Sequence, residues 1–171
     1  MSISDSEKKK SEESPEVSVR RKIKTTKDRN LRFKIIKGLS QVKSPWVCDV
    51  LIDSLEESCE DIREYLIREL AQREDLDLAL IYPHLKALTW HVKSSCLKIL
   101  GMRKNPQTLP HIKEILTDPN ADVRATAAWA LGEIGGKDGL ALLAVLTKDE
   151  NNFVRISAEK ALLKASQLKF I

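Results

Sequence analysis

The sequence predicts an all-α fold, an α-solenoid of stacked helix hairpins with about 4.5 repeats of about 31 residues, from three observations. The chain has 171 residues, of which 42% are hydrophobic. Only 5% are aromatic and six are glycine, whereas folds made of many short strands use aromatic strand faces and glycine-rich turns. A pattern of apolar residues also recurs about every 31 residues. A period of this length is typical of repeated helical units that stack on one another.

The N-terminal segment, residues 1–27, differs in composition from the rest of the chain. It is rich in Ser, Glu, Lys and Arg and has few large apolar side chains. Such a segment cannot bury enough surface to offset the entropy lost on ordering, so a disordered charged arm is predicted there, followed by a repeat domain over residues 28–171. The net charge is +7 for residues 1–43, −8 for residues 44–77 and +5 for residues 78–171.

The repeat is defined by a helix that starts with an apolar residue followed by a basic one, with further apolar residues four and eight positions later. The five starts are Leu31, Ile62, Val92, Val123 and Val154. Offsets of four and eight residues lie on one face of a helix. A second apolar helical segment lies between consecutive starts, bounded by turns such as Ser44-Pro45 and Gly135-Gly136. Each unit is therefore a helix hairpin, and stacked hairpins bury a continuous core.

Three units depart from this scheme. The first has no apparent first helix, because the polar arm takes its place, so the solenoid is expected to begin with half a repeat. In the third unit Pro83 falls closer to the second helix than Pro110 does in the fourth, which predicts a kinked or shortened first helix within residues 74–90. The last helix carries polar residues such as Glu159 and Lys164, which suit a capping repeat at the end of a complete chain.

Residues 105–165 read NPQTLPHIKEILTDPNADVRATAAWALGEIGGKDGLALLAVLTKDENNFVRISAEKALLKA. They resemble the bacterial HEAT-like repeats (the PBS lyase HEAT-like family), a short-period class also found in phycobilisome bilin lyases and HEAT-like DNA glycosylases. The resemblance implies a structural ladder between an Asp of the intra-repeat turn and an Arg of the second helix. The matching residues are Asp118 with Arg124 and Asp149 with Arg155. Earlier repeats have Thr26, Glu57 and Ala87 at the Asp position.

The sequence shows no pattern typical of a catalytic, cofactor or metal site. The glycines between Gly132 and Gly136 lack the spacing of a phosphate-binding loop and suit a helix C-cap. The histidines His84, His91 and His111 have no metal-ligand spacing, and no nucleophile elbow is present. The three cysteines contain no CxxC motif, and their odd number does not suit a framework of disulfide bonds. No enzyme activity and no cofactor are therefore predicted.

The function that these features favour is a non-catalytic protein–protein interaction scaffold or adaptor that binds a partner along the concave face. The alternative is a nucleic-acid-binding protein of the DNA glycosylase type, although the charge from Leu31 onward is nearly balanced. A bilin lyase accessory subunit is suggested by the resemblance alone. No apolar run approaches the length of a membrane span, so a cytoplasmic protein without membrane attachment is expected. The oligomeric state stays open.

The candidate binding residues lie six positions after each repeat start, on the side of the helix away from the apolar stripe. They are Lys37, Arg68, Lys98, Trp129 and Lys160. Because four of the five are basic, they predict a protein partner with an acidic or extended segment, anchored by Trp129. Phe33 and Ile156 are predicted to be exposed beside them. One alternative is that these long side chains only solvate a helix face while Trp129 covers a neighbouring repeat. Another is that binding uses the acidic segment Asp49–Asp77 or the basic arm.

Overall fold

The computed structural model describes residues 13–167, which form helices and turns without a β-strand. Along this part of the chain nine α-helices follow one another: α1 (Pro15–Thr25), α2 (Arg29–Ser40), α3 (Pro45–Asp53), α4 (Glu60–Gln72), α5 (Trp90–Arg103), α6 (Leu109–Lys113), α7 (Ala121–Ile134), α8 (Gly136–Leu146) and α9 (Asn152–Gln167). Short 3-10 segments cover Ser54–Glu56, Leu78–Leu80, Tyr82–Lys86, Pro106–Thr108 and Glu114–Thr117. These elements pair into five hairpins, which confirms the predicted all-α solenoid.

The second helices of the hairpins are α2, α4, α5, α7 and α9. The last four stack side by side, α2 contacts α4 through Phe33 and Tyr65, and all five form the core with the first helices. Their buried stripe follows the fourth and eighth repeat positions. Examples that are less than 1% exposed are Leu66, Leu70, Cys96, Leu100, Ala127 and Leu131. Side-chain caps start three of these helices: Asp28 accepts from the backbone N–H of Leu31, Asn120 from that of Asp122, and Asn151 from that of Phe153.

The first hairpin differs from the sequence expectation, because α1 occupies residues 15–25 of the predicted disordered arm. Ser14 caps this helix, and Pro15 takes its first position, where its missing N–H costs nothing. Ile23 is buried at 8% exposure against the neighbouring hairpin, and Arg20 forms an ion pair with Asp53 of α3. A single buried apolar residue and this ion pair anchor a helix that composition alone did not predict. The rest of the arm, residues 1–12, lies outside the described residues.

The first half of the third hairpin is short and irregular. Where the other units have a longer first element, residues 78–86 form two 3-10 segments that flank Ile81, which is fully buried. Pro83 lies in the second segment, and its ring prevents the regular hydrogen bonding of an α-helix there. This is the region where the sequence predicted a shortened first helix.

Small residues allow the second helices to approach one another closely. A Cβ placed on Gly132 of α7 would lie 2.7 Å from the Cβ of Ala161 in α9, and a Cβ on Gly101 of α5 would lie 2.9 Å from the Cα of Ala130 in α7. Only glycine fits at these crossing points. Gly135 has a φ of 66° and ends α7, where its N–H donates to the carbonyl of Leu131. The turn then leads directly into α8.

Candidate functional site

A groove of about 790 Å³ runs across the second helices α4, α5, α7 and α9. Its base consists of small or aliphatic side chains, including Ile67, Ala125 and Ala161. Its walls carry large exposed apolar side chains, namely Trp90, Met102, Trp129 and Phe153. A volume of this size lies within the usual range of ligand sites, roughly 300 to 1,000 Å³. Because four consecutive repeats contribute, the groove is extended along the solenoid.

Four of the residues that the sequence singles out line this groove: Arg68, Lys98, Trp129 and Lys160. The other three lie elsewhere. Lys37 is exposed on α2, outside the lining of the groove. Phe33 is half-buried rather than exposed, because its ring packs edge-on against Tyr65 with 5.2 Å between the ring centroids. Ile156 is 39% exposed on α9 and is not part of the groove lining.

The indole of Trp129 packs against a neighbouring helix on one side and faces the groove on the other. One side of its indole covers Gly101 of α5, so that a Cβ at residue 101 would lie 2.7 Å from the indole Cζ3 atom. The other side faces the groove, and the residue is 37% exposed. The indole is therefore fixed by packing while part of its surface stays available for contact, a combination suited to an apolar anchor.

Cations outnumber carboxylates in the groove. The groove lining has four basic residues, Arg68, Lys98, Lys160 and Lys164, and two acidic ones, Glu64 and Asp122. Lys98 is bonded to Glu64, and Lys164 to Glu133 behind the groove. Arg68 and Lys160 form no ion pair with any of residues 13–167. These two charges are therefore free to attract an acidic group.

Several groove residues were missed by sequence reasoning that followed the sixth repeat position alone. Phe153 and Asp122 precede their repeat starts by one residue, and Lys164 follows its start by ten. At about 100° per residue these offsets lie within roughly 40° of the sixth position on the helix, so they share its face. The sequence therefore did contain a signal for these residues: they lie four or seven positions from the sixth repeat position, on the same helix face.

The predicted ladder residues Asp118, Arg124, Asp149 and Arg155 are close together, in a pattern that links consecutive hairpins. Arg124 Nε donates to Asp149 Oδ2 at 2.8 Å, and Arg124 Nη1 donates to the backbone carbonyl of Asp118 at 2.7 Å. Lys93 Nζ donates to Asp118 Oδ2 at 2.6 Å. Arg155 Nη1 donates to the backbone carbonyl of Asp149 at 2.8 Å. The carboxylate of each Asp thus binds a basic side chain of the preceding repeat. The backbone carbonyl of the same Asp accepts a hydrogen bond from the Arg six residues later.

The ladder also holds in the earlier repeats, with Glu57 in place of Asp. Glu57 accepts two hydrogen bonds from Arg32, at 2.7 and 3.0 Å, and these bonds hold its pKa below the usual value. The Arg124 guanidinium lowers the pKa of Asp149 in the same way. The ladder is interrupted at Ala87, which has no side-chain acceptor to offer Arg63. The exposed Leu88 follows it.

The acidic segment Asp49–Asp77 is partly neutralised within the fold. Arg20 binds Asp53, Arg29 binds Asp61 and Arg73 binds Asp75. Arg73 also donates to the backbone carbonyls of Ser40 and Val42 at 2.7 and 2.9 Å, and its hydrogen bonds lower the pKa of Asp75. Much of this negative charge therefore serves the contacts between the first hairpins.

The cysteines and histidines are dispersed. Cys48 and Cys96 are buried, and burial raises the pKa of the Cys96 thiol to about 12. His111 stacks on Tyr82 with 3.7 Å between ring centroids, away from the groove. Across residues 13–167, no three His, Cys, Asp or Glu side chains are grouped so that they share a metal ion. Within the same residues, no helix is both long and apolar enough to cross a membrane.

Two solved structures share the fold of this chain. The complex of CpcE and CpcF of phycocyanin lyase from Nostoc superimposes with a TM-score of 0.57 and 19% identity, over 98% of this chain and 71% of that one. Human deoxyhypusine hydroxylase in complex with glycerol superimposes with a TM-score of 0.56 and 19% identity, over 90% of this chain and 64% of that one. At this level of identity the likeness concerns the fold.

A curated relative overturns the prediction of function. The chain is 34% identical over 88 residues to deoxyhypusine hydroxylase from Aspergillus clavatus, and this alignment spans 49% of the chain but only 25% of the hydroxylase. Because the relative is an enzyme, the predictions of a non-catalytic scaffold and of no enzyme activity are wrong. Those predictions depended on finding a local catalytic motif, whereas a solenoid collects its site residues from positions about 31 residues apart.

The sequence family is decided by the repeats themselves. The HEAT repeats family matches residues 78–163, half of the chain. The matched range includes the second helices α5, α7 and most of α9, which form most of the groove. Together with the solenoid fold and its ladder, this match shows that the chain belongs to the HEAT repeat family.

Proposed function

We propose that this chain works in an enzyme that modifies a protein, and that its groove binds the polypeptide substrate near the residue to be modified. The groove of about 790 Å³ across four repeats is the observation that carries the proposal. The relative from Aspergillus clavatus supports the enzymatic part, since it is a hydroxylase named for deoxyhypusine. The match covers a quarter of that enzyme, so the reaction and substrate of this chain are inferred and not transferred whole.

The charge and the walls of the groove define the substrate segment. Two cations, Arg68 and Lys160, have no acidic partner among the described residues and lie one on each side of the central helices. An acidic, extended segment complements them, and its apolar side chains fit against Trp129 and Phe153. Electrostatic attraction of this kind raises the association rate and fixes the register of the bound chain.

The residues of the groove are assigned to binding and orientation. For a metal ion the donor set does not fit, because the carboxylate of Glu64 is already bonded to Lys98 and, within residues 13–167, no three His, Cys, Asp or Glu side chains are grouped to share an ion. No metal-dependent step is therefore derived through these residues. Their chemical contribution is to hold a polypeptide in an extended form. Because the entropy cost of positioning the reacting side chain is then met on binding, less of it remains in the reaction step.

We also infer that the enzyme works in the cytoplasm. Cys48, Cys59 and Cys96 are all unpaired, and Cys59 is partly accessible. Unpaired thiols are typical of proteins in reducing compartments.

Site-specific cross-linking in the cell tests the proposal. Phe153→p-benzoylphenylalanine places a photoreactive group in the groove, and Val145→p-benzoylphenylalanine on α8 is the matched control outside it. We expect the Phe153 variant to capture a protein through an acidic segment. In that protein, mass spectrometry should detect one side chain whose mass differs between cells with and without this chain. Capture without any such mass difference, or equal capture by the Val145 variant, contradicts the proposal.

A binding measurement isolates the role of the groove. The probe is a fluorescent 12-residue peptide of alternating Glu and Gly with one central Trp. Trp129→Ala and Lys160→Glu should each weaken its binding about tenfold, as expected for the loss of an anchor or of a charge pair. Lys148→Glu, an exposed lysine outside the groove, should leave the affinity unchanged.

A further inference from the structure

A small polar crevice opens from the groove between α4 and α5. Its volume is about 90 Å³, and its lining includes Glu60, Glu64, His91, Ser94 and Lys98. Glu64, Ser94 and Lys98 also line the groove itself, so the two spaces share a wall. A group that projects from a chain in the groove therefore has direct access to this α4–α5 crevice.

Two buried polar atoms of the crevice have no hydrogen-bond partner within residues 13–167. They are Ser94 Oγ and His91 Nε2, and Ser94 is only 7% exposed. The adjacent Ser95 is satisfied, because its hydroxyl donates to the backbone carbonyl of His91 at 2.7 Å. Buried polar groups in folded proteins nearly always have partners, and a missing partner costs free energy. Both residues line one crevice, and a bound group that reaches these two atoms would supply the missing hydrogen bonds.

The charges around the crevice select the type of group. The lining has two acids, Glu60 and Glu64, and two bases, Arg63 and Lys98. Lys98 is bonded to Glu64, and Arg63 Nη1 donates to the backbone carbonyl of Glu57 at 2.6 Å. Because the two acids and two bases balance, the crevice offers no net attraction that would offset the lost hydration of a carboxylate or an ammonium group. An uncharged group avoids both penalties.

The size and the hydrogen-bonding capacity of the crevice narrow the choice further. At about 30 Å³ per water molecule, 90 Å³ holds a group of a few heavy atoms. A carboxamide has one acceptor oxygen and one donor nitrogen. Its oxygen can accept from the hydroxyl of Ser94, and its nitrogen can donate to the Nε2 atom of His91 when that atom carries no proton. One carboxamide therefore has the acceptor and the donor that the two orphan atoms require.

We propose that the α4–α5 crevice is a specificity subsite that receives an Asn or Gln side chain of the polypeptide bound in the groove. This inference rests on the proposed function for the identity of the ligand, but the crevice is testable without the polypeptide. The subsite gives the groove a sequence preference that its charges alone do not provide, because a basic groove accepts many acidic segments equally.

A titration with small probes tests the crevice directly. Acetamide, acetate and methylammonium are added separately to the full chain, and the ring resonances of His91 are followed by NMR. We expect acetamide to shift these resonances in a saturable way, and acetate and methylammonium to produce much smaller shifts. Ser94→Ala should abolish the response to acetamide, whereas Ser95→Ala should retain it. If acetamide causes no shift, water alone fills the crevice and the proposal is wrong.

A peptide comparison connects the crevice to the groove. In the Glu–Gly–Trp peptide, one Gly is replaced in turn by Gln, Ala, Glu or Lys at each position. At one register, the Gln peptide should bind the wild-type chain about tenfold more tightly than the Ala peptide, the value of one satisfied pair of hydrogen bonds. It should bind the Ser94→Ala variant no better than the Ala peptide does. An equal affinity of all four replacements at every register overturns the subsite.

The two experiments separate failure of the subsite from failure of the proposed function. If the chain binds the acidic peptides but shows no acetamide response and no Gln preference, the proposed groove is supported and the proposed subsite is wrong. If the chain responds to acetamide but binds no peptide, the carboxamide site is supported and the proposed polypeptide groove is wrong.

Discussion

Ser94 illustrates how one side chain can serve binding at a cost to stability. Ser94 lies in the wall shared by the groove and the α4–α5 crevice, and its buried hydroxyl has no hydrogen-bond partner among residues 13–167. A buried hydroxyl without a hydrogen-bond partner costs free energy. The free chain therefore carries a penalty that a bound group relieves. Residues of this kind are expected where a surface is arranged for a ligand rather than for folding.

Ser94→Ala should raise the free energy of unfolding of the unliganded chain by about 1 kcal/mol, because it removes an unsatisfied buried hydroxyl. Ser95→Ala is the matched control and should lower stability, since it breaks the bond to the carbonyl of His91. Urea denaturation of both variants measures the difference. If Ser94→Ala is the less stable of the two, the Ser94 hydroxyl has a partner in solution.

Arg124 and Asp149 form a buried pair whose contribution depends on pH. The guanidinium keeps the pKa of Asp149 below its usual value of about 3.9. Because the folded-state pKa is below the unfolded one, the pair contributes fully above about pH 4 and its contribution is lost as the pH falls through the folded-state pKa. Asp149→Asn should cost about 3 kcal/mol at neutral pH, since it leaves the buried Arg124 with only the exposed carboxylate of Glu150, at 3.6 Å, as a countercharge.

Urea denaturation from about pH 7 to about pH 2 checks this expectation. The Asp149→Asn variant should lose less stability on acidification than the wild type does. Glu74→Gln, which changes an exposed acid, should follow the wild-type curve. Parallel curves for wild type and Asp149→Asn would show that the pair does not shift the titration of Asp149.

At the scale of elements, the crossing points of the second helices decide how tightly the repeats stack. Gly132 lies against Ala161 and Gly101 lies under Trp129 and Ala130, so the backbones of α5, α7 and α9 come close. This close approach sets the width of the groove above them. Gly38 of α2 is different, because the space around it is open.

Gly132→Ala and Gly38→Ala should have opposite effects on stability. At residue 132 the added methyl group would lie 2.7 Å from a neighbouring Cβ, so overpacking should lower the free energy of unfolding by about 1 to 3 kcal/mol. At residue 38 nothing lies within 4 Å of the added methyl group, so the better helix propensity of Ala should raise it by about 0.5 to 1 kcal/mol. Chemical denaturation of the two variants measures both. A gain in stability for Gly132→Ala would mean that α7 and α9 are further apart than described.

The predictability of each element follows from how much apolar periodicity it carries. The second helices were predictable because residues such as Leu66 and Leu70 occupy the fourth and eighth positions of a strict repeat. The helix α1 was not, because its buried surface depends on Ile23 and on an ion pair with a distant residue, Asp53. The sixth-position residues located the groove, but its full extent and the α4–α5 crevice depend on the packing of adjacent repeats, which no single repeat encodes.

At the scale of the whole molecule, the five hairpins form a linear array in which each contacts mainly its neighbours. Stability in such arrays is approximately the sum of repeat and interface terms. The groove lies across the second to fifth hairpins, whereas α1 belongs to the first and packs on α2 and α3. Changes at the N-terminal end should therefore affect stability more than binding.

Deletion of residues 1–27 should leave the helical core folded with a lower melting temperature. The loss of the buried Ile23 contact is expected to cost about 1.5 to 3 kcal/mol, while the remaining hairpins keep their own interfaces. Circular dichroism should show a single cooperative transition, and the acidic peptide should bind with unchanged affinity. Loss of cooperative melting would show that α1 is required for the fold.

The interrupted ladder at Ala87 has a consequence for binding. Arg32 with Glu57, Lys93 with Asp118 and Arg124 with Asp149 act as rigid ties between consecutive hairpins, and the joint between the second and third hairpins lacks one. That joint is tied instead by the part-exposed pair of Lys98 and Glu64, so its electrostatic tie lies open to solvent and to a chain bound in the groove. Arg68 lies on one side of this joint and Trp129 on the other. A substrate that contacts both therefore spans the joint whose buried ladder pair is missing and whose remaining ion pair it can reach.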